Sequence, residues 1–255
     1  MFGILSQLPL YLISLPIALL ALSVHEASHG YMAYKLGDHT AYNLGRLTLN
    51  PLKHLNPIGV LCMVLFRIGW ANPVPVNARN FKKPRRDMAL TAAAGPLSNL
   101  LSAVVFAALL RLDIFLIDTF CEEGMNSVLS FLMVGSGNVP MSIKCLAVLT
   151  YMLFIGVVLN ISLAIFNLIP IPPFDGSRIA HVFLPPRIYF GIMRYERYIM
   201  LAILVLFLVF PMTWLSAATG GLANLILTIF GLNGDNIATR ELYILIRYLE
   251  VALSL

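Results

Sequence analysis

The run Val24-His25-Glu26-Ala27-Ser28-His29-Gly30 holds the residues best suited to chemistry, in the pattern H-E-x-x-H. On a helix, positions i and i+4 share a face, so the imidazoles of His25 and His29 can converge on one metal ion. Glu26 lies on the adjacent flank, within reach of a metal-bound water. In such a set the metal acidifies a water and polarises a carbonyl, and the carboxylate takes the proton and returns it. That is the arrangement of a zinc hydrolase, with one Zn2+ expected per chain. Zinc needs a third protein ligand, so a carboxylate or histidine is expected elsewhere at similar depth.

The element that must position this motif is unusual. Leu8 to Leu22 is almost wholly apolar, so the motif falls in the second half of a membrane span. The bland alternative is a polar patch where the helix leaves the bilayer, with both histidines merely hydrogen-bonded. Against it stands the cost of three ionisable side chains at membrane depth, where such groups are functional candidates by default.

Composition supports the setting. The chain has 255 residues, of which 59% are hydrophobic and only 11% charged, against roughly 25% charged in soluble domains. The fold class expected is an all-α polytopic membrane protein with about four to six transmembrane helices. A transmembrane barrel would need short alternating strands instead of long apolar runs. The net charge of +5 comes from a few loops, which excludes a nucleic-acid surface. Cys62, Cys121 and Cys145 are scattered and include no C-x-x-C, so neither a disulfide framework nor a zinc–cysteine site is expected. The N-terminus lacks the basic region and cleavage site of a signal peptide and reads as the start of the first span.

That span is expected from about Leu5 to Leu36, stopped by Gly37 and Asp38. From Lys35 to Asp87 there are nine basic residues against Asp38 and Asp87, which marks the segment as cytoplasmic. Within it, Ile58 to Trp70 is apolar but too short to span, and reads as a membrane-associated hairpin or re-entrant segment. Met88 to Leu110 reads as the second span, Arg111 to Pro140 as an acidic outside loop, and Ile143 to Leu168 as the third span. Asp175-Gly176 reads as a turn. Arg197 to about Trp214 is expected as a fourth span and Leu222 to Leu232 as a short fifth. Glu241 to Leu255 could lie on the membrane surface. A single domain over residues 1–255 is expected, with a core at about 17–179 and C-terminal helices at about 196–255. His25 and His29 sit near the inner end of the first span, and Asp175 follows the inner end of the third. Charge bias alone therefore places all three on one side of the bilayer.

Three motifs in order resemble the site-2 protease family, the intramembrane zinc metalloproteases: His25 to His29; Ala94-Gly95-Pro96-Leu97-Ser98-Asn99; and Asn167 through Pro170 to Phe174-Asp175-Gly176. The runs Gly45 to Pro51 and Trp70 to Asn77 look like its compact prokaryotic branch, without a PDZ or CBS domain. The likeness covers roughly Ile17 to Ile179. It departs at His54-Leu55-Asn56-Pro57, where relatives often have Asp before the proline, and at Phe174, where they often have Leu.

The resemblance implies that Asp175 joins His25 and His29 as the third zinc ligand and that Glu26 is the general base. Asn99 and Asn160 are the candidate donors to a developing oxyanion; the alternative for each is interhelical glue. His54 reads as a surface-hairpin residue or a transition-state donor, and His39 and His181 as ordinary loop histidines. The implied activity is cleavage of peptide bonds within or near transmembrane segments of membrane-anchored proteins. The implied place is the plasma (inner) membrane of a prokaryote, with the site toward the cytoplasm. The alternatives are a zinc-binding membrane transporter and a non-catalytic membrane scaffold. A strand-like substrate segment could pair along the hairpin around Leu61 and Met63.

Overall fold

The computed structural model describes residues 2–56, 59, 72–120, 127–128, 140–209 and 213–232, and every regular element among them is helical. In chain order these are α1 (Phe2–Lys35), α2 (Thr40–Asn43), single 3-10 turns at Pro51–Lys53 and Ala78–Asn80, α3 (Pro84–Phe120), α4 (Met141–Asn167), α5 (Asp175–Ala180), α6 (Pro186–Met193), α7 (Glu196–Val209) and α8 (Thr213–Ile229). Among the described residues, three stretches are long and apolar enough to cross a membrane: Leu12–Lys35, Pro84–Phe120 and Met141–Asn167. The all-α, membrane-spanning class expected from composition is therefore what is found. At 17 residues, α8 lies at the lower limit for a span of the hydrocarbon core.

The chain divides into two compact units, Met1–Ile17 with Leu101–Ser162 and Pro211–Leu255, and Ala18–Leu100 with Leu163–Phe210. In the first, α3 buries Ala103, Ala107, Leu110, Ile114 and Ile117, and α4 buries Ile143, Ala147, Phe154, Val157 and Ile161. The alternating three- and four-residue steps place each set on one helix face. Gly156 lets these helices approach closely, since a Cβ there would stand 2.5 Å from the Phe106 ring. The buried Thr150 hydroxyl lies 2.7 Å from Asp113 Oδ2, tying α4 to α3.

Helix α3 corrects the sequence reading. It runs ten residues past Leu110, to Phe120, so Asp113 and Asp118 are helical and not in an outside loop. The apolar stripe explains this: Ile114 and Ile117 continue the buried face of Leu110, and Thr150 satisfies the one acidic group on it. The expected fourth span is described in part. Its residues up to Val209 lie in α7 and Thr213 and Trp214 open α8, while residues 210–212 lie outside the described residues. Leu222, expected to open a fifth span, is instead in the middle of α8. The hairpin at Ile58 to Trp70, the acidic stretch after Phe120 and the segment Glu241 to Leu255 lie outside the described residues, apart from Gly59 and residues 127–128.

In the second unit, α1 ends as expected at Gly37, whose φ of +106° suits only glycine. The amide of Asp38 bonds the Ala33 carbonyl at 2.9 Å and that of Gly37 bonds Tyr34 at 3.1 Å. This reciprocal closure satisfies the last carbonyls of the helix. It also delivers Asp38, fully buried, to the loops that surround the site.

Candidate active site

His25 and His29 occupy successive turns of α1, and their rings meet edge to face with centroids 4.6 Å apart. Their Nε2 atoms are 3.1 Å apart, and each lies 3.1 Å from Asp175 Oδ2. The far nitrogens are committed elsewhere: Nδ1 of His25 is 2.6 Å from Asn99 Oδ1, and Nδ1 of His29 is 2.7 Å from the Thr91 carbonyl. A carbonyl only accepts, so His29 carries its proton on Nδ1. Asn99 turns its Nδ2 toward the Ala21 carbonyl, so its Oδ1 faces His25 and sets the same tautomer.

Three lone pairs then converge without a proton among them. Only a cation, or protonation of an imidazole, relieves that repulsion. Tetrahedral zinc with bonds of about 2.0–2.1 Å places its ligand atoms roughly 3.3 Å apart, close to the observed edges. The donor set, two imidazoles and one carboxylate, is also one zinc accepts. Burial alone would raise the Asp175 carboxyl, but protonated imidazoles opposite, the cation-free way to relieve the repulsion, hold it well below the usual carboxylate range; the carboxylate is also the form that ligates a cation. Among the described residues this is the group of histidine and acidic side chains arranged to hold a metal.

Two glycines make room. A Cβ at Gly95 of α3 would lie 2.5 Å from His29 Cε1 and Nε2 and 2.7 Å from His25 Cε1, so only a bare backbone fits beside the rings. The Asp175-Gly176 pair is not a turn, as expected, but the start of α5. Gly176 packs against the Leu168 and Ile169 carbonyls, where a Cβ would collide with both oxygens. This close approach fixes the segment after α4 and hence where Asp175 points. Phe174 packs on Phe166 with ring centroids 4.4 Å apart, which accommodates an aromatic before the Asp175-Gly176 pair.

Glu26 has a partner that sequence reasoning missed. Its Oε2 accepts a 2.8 Å hydrogen bond from the Val74 amide in a buried setting. The segment Asn72 to Asn77, in the sequence Asn-Pro-Val-Pro-Val-Asn, is held in place from several directions. Arg46 Nη2 donates to the Asn72 carbonyl at 2.8 Å, the Asn72 amide donates to the His54 carbonyl at 2.7 Å, and Asn56 Nδ2 donates to Asn72 Oδ1 at 2.9 Å. At its other end Asp38 accepts from the Asn77 amide and from Asn80 Nδ2, both at 2.7 Å. The available signal was Asp38 itself, a lone acid just past a helix end and two residues before a hydroxyl. Gly30 allows the approach, since a Cβ there would meet Val74 and Leu47 at 3.2 and 3.3 Å.

Among the remaining residues, His54 is not a surface residue. It is fully buried, its Nε2–H donates to the Thr48 carbonyl at 2.8 Å, and its Nδ1 has no partner among the described residues. The cause is local: the 3-10 turn at Pro51–Lys53 directs it inward. His39 is exposed and His181 half-buried, as expected of loop histidines; burial and then the nearby Arg85 charge lower the His181 pKa. Asn160 belongs to the first unit, where its Nδ2 bonds the Gly156 carbonyl one turn back.

Burial would raise the Asp38 carboxyl, but hydrogen bonds from Thr40, Asn77 and Asn80 outweigh it and lower the pKa. A depressed folded-state pKa means stabilisation that is complete above the unfolded value of about 3.9 and is lost as pH falls through the folded value. Asp38→Asn is expected to cost about 2 kcal/mol at neutral pH, since several donors lose a charged acceptor. Thermal unfolding in detergent checks this. The gap between wild type and variant should close as the pH falls below about 4. A gap unchanged by pH would contradict the assignment.

Residues 14–211 match the model of peptidase family M50. The chain is 38% identical over 203 residues to a Bacillus subtilis (strain 168) protein provisionally named zinc metalloprotease YwhC, covering 80% of this chain and 82% of that one. Two mycobacterial proteins carry the similarly provisional name zinc metalloprotease Rip2. That of Mycolicibacterium smegmatis is 35% identical over 98 residues, 36% of this chain and 38% of its own. That of Mycobacterium tuberculosis is 27% identical over 196 residues, 74% of this chain and 64% of its own. No solved structure gives a significant match. The helical membrane fold, the H-E-x-x-H helix and a match over most of the chain lead to one conclusion: the protein belongs to peptidase family M50, the site-2 protease family.

Proposed function

We propose that this protein is a zinc metalloendopeptidase that hydrolyses peptide bonds within or near transmembrane segments of membrane-anchored proteins. The observation that carries the reading is the meeting of His25 Nε2, His29 Nε2 and Asp175 Oδ2 at 3.1 Å beside the Glu26 carboxylate, on a helix long enough to span a bilayer. His25, His29 and Asp175 are the residues that would hold zinc. When bound, zinc supplies Lewis acidity and a lowered water pKa at that point.

The rest is done by the chain itself. Val74 N–H fixes one Glu26 oxygen, which leaves the other to take a proton from the attacking water and hand it to the departing amine. The burial of His25, Glu26 and His29, each at most 8% exposed, keeps bulk water away and strengthens these interactions. Thr91 and Asn99 hold the tautomer in which both Nε2 lone pairs face inward. Asn99 thereby supports His25, and Asn99 and Asn160 stay candidate donors to the oxyanion. Asn99→Ala is expected to weaken zinc binding by about ten- to a hundredfold, as read from competition with a chelator. Unchanged zinc affinity would remove this role.

The basic segment from Lys35 to Asp87 supports a site that faces the cytoplasm, and the bacterial relatives suit a prokaryotic inner membrane. The deciding experiment uses the full chain in vesicles with a model transmembrane substrate. Cleavage that stops on chelation and returns with zinc is the expected result. Absence of cleavage together with zinc crossing the vesicle wall would establish the transporter instead.

A further inference from the structure

We propose that the second unit carries a binding site for the phosphate of an anionic phospholipid, separate from the histidine cluster. A cavity of about 270 Å3 is lined by Lys35, Lys82, Lys83 and Arg86, together with Gly37 and Asp87. Four cations therefore face one carboxylate, and that carboxylate is already engaged. Asp87 is buried, its Oδ2 accepts from the Lys83 amide at 2.9 Å, and its Oδ1 lies 3.7 Å from Arg86 Nε. Lys35 Nζ rests 5.3 Å above the Tyr31 ring. Lys35, Lys82 and Lys83 form no ion pair among the described residues.

The position identifies the anion. Lys35 closes the span Leu12–Lys35, and Lys82, Lys83 and Arg86 flank Pro84, where the span Pro84–Phe120 opens. Both ends meet at the cavity, and basic residues closing an apolar span favour the headgroup layer. The fixed anion in that layer is the lipid phosphodiester, and clusters of basic residues next to a span bind it. Ordinary excess of basic residues at a cytoplasmic face would scatter these charges over the loops. Here they converge on one concavity, entered from one side by Gly37, whose positive φ turns the chain sharply past Lys35. The lysine ammoniums and the arginine guanidinium supply donors without an acceptor, which suits a phosphodiester, and their summed positive charge favours a net-anionic headgroup over one whose phosphate is paired with a choline cation.

The test uses full-length protein in a neutral detergent. It is titrated with dioctanoyl-phosphatidylglycerol, dioctanoyl-phosphatidylcholine or inorganic phosphate, read by native mass spectrometry and by melting temperature. Phosphatidylglycerol is expected to bind and to raise the melting temperature, with phosphatidylcholine and inorganic phosphate much weaker. Each lysine contributes about fivefold in affinity, so K82Q/K83Q should weaken phosphatidylglycerol binding about 25-fold. These side chains are exposed, so the variant should fold, and its unliganded melting temperature checks that. A K53Q/R187Q control, exposed and outside the cavity, should bind as wild type does. Equal binding of the two lipids, or equal losses in both variants, would overturn the proposal. Inorganic phosphate binding as tightly as phosphatidylglycerol would assign the cavity to a soluble anion and overturn it too. Because no readout is cleavage, failure here is distinct from failure of the protease reading.

Discussion

Glu26→Gln is expected to bind zinc as wild type does while losing about four orders of magnitude in turnover, the upper range for removing a general base. Glutamine keeps the shape of the side chain, and its amide oxygen can still accept from the Val74 amide, so the 72–77 segment stays docked. What is lost is the capacity to take a proton. Metal analysis and cleavage of the model substrate on the same preparation check the pair of outcomes. A variant that has lost its zinc would show that Glu26 supports the metal site and is not its base. A variant retaining about a tenth of the activity would show that the proton goes elsewhere.

Gly95→Ala is expected to be nearly as damaging, for a reason unrelated to charge. By helix propensity alone the change should stabilise α3 by up to about 1 kcal/mol. The added methyl, however, would stand 2.5 Å from His29 Nε2 and Cε1 and 2.7 Å from His25 Cε1. The imidazoles cannot retreat without abandoning Asn99 and the Thr91 carbonyl, so they rotate and the converging lone pairs separate. A displacement of about 1 Å at such a centre costs on the order of a hundredfold in rate, and zinc occupancy should fall with it. The two effects have opposite signs, which makes the result decisive. A folded helical protein with little zinc and little cleavage supports the packing argument. Undiminished zinc and turnover would mean that α3 gives way easily.

The two substitutions separate two layers of the design. On the proposed reading Glu26 acts on the reacting atoms, whereas Gly95 only leaves room for the two imidazoles beside it. Gly176, where an added methyl would run into the Leu168 and Ile169 carbonyls, does for Asp175 what Gly95 does for the histidines. The three motifs that matched the family in order thus become one constellation. The first supplies two imidazoles and the Glu26 carboxylate. The second supplies a bare backbone and an amide behind them. The third supplies the carboxylate.

Much of this was legible without coordinates. The i, i+4 spacing placed His25 and His29 on one face because a helix has about 3.6 residues per turn. Long apolar runs marked the membrane helices because hydrocarbon tolerates little else. The asymmetry of basic residues put Asp175 on the same side as the histidines. These signals are local or compositional, and a sequence carries them directly. Tertiary structure alone decided the rest. Glu26 meets the amide of Val74, a group every residue but proline has, so no side chain advertises it. Asn99 could equally have faced an oxyanion, and only the approach of α3 to α1 turned its Oδ1 onto His25. His54 reads as surface until the loop after α2 folds over it. Asp113 reads as loop until Thr150 of α4 supplies its partner. In each case the determinant is a hydrogen bond whose geometry exists only once the helices and loops have packed.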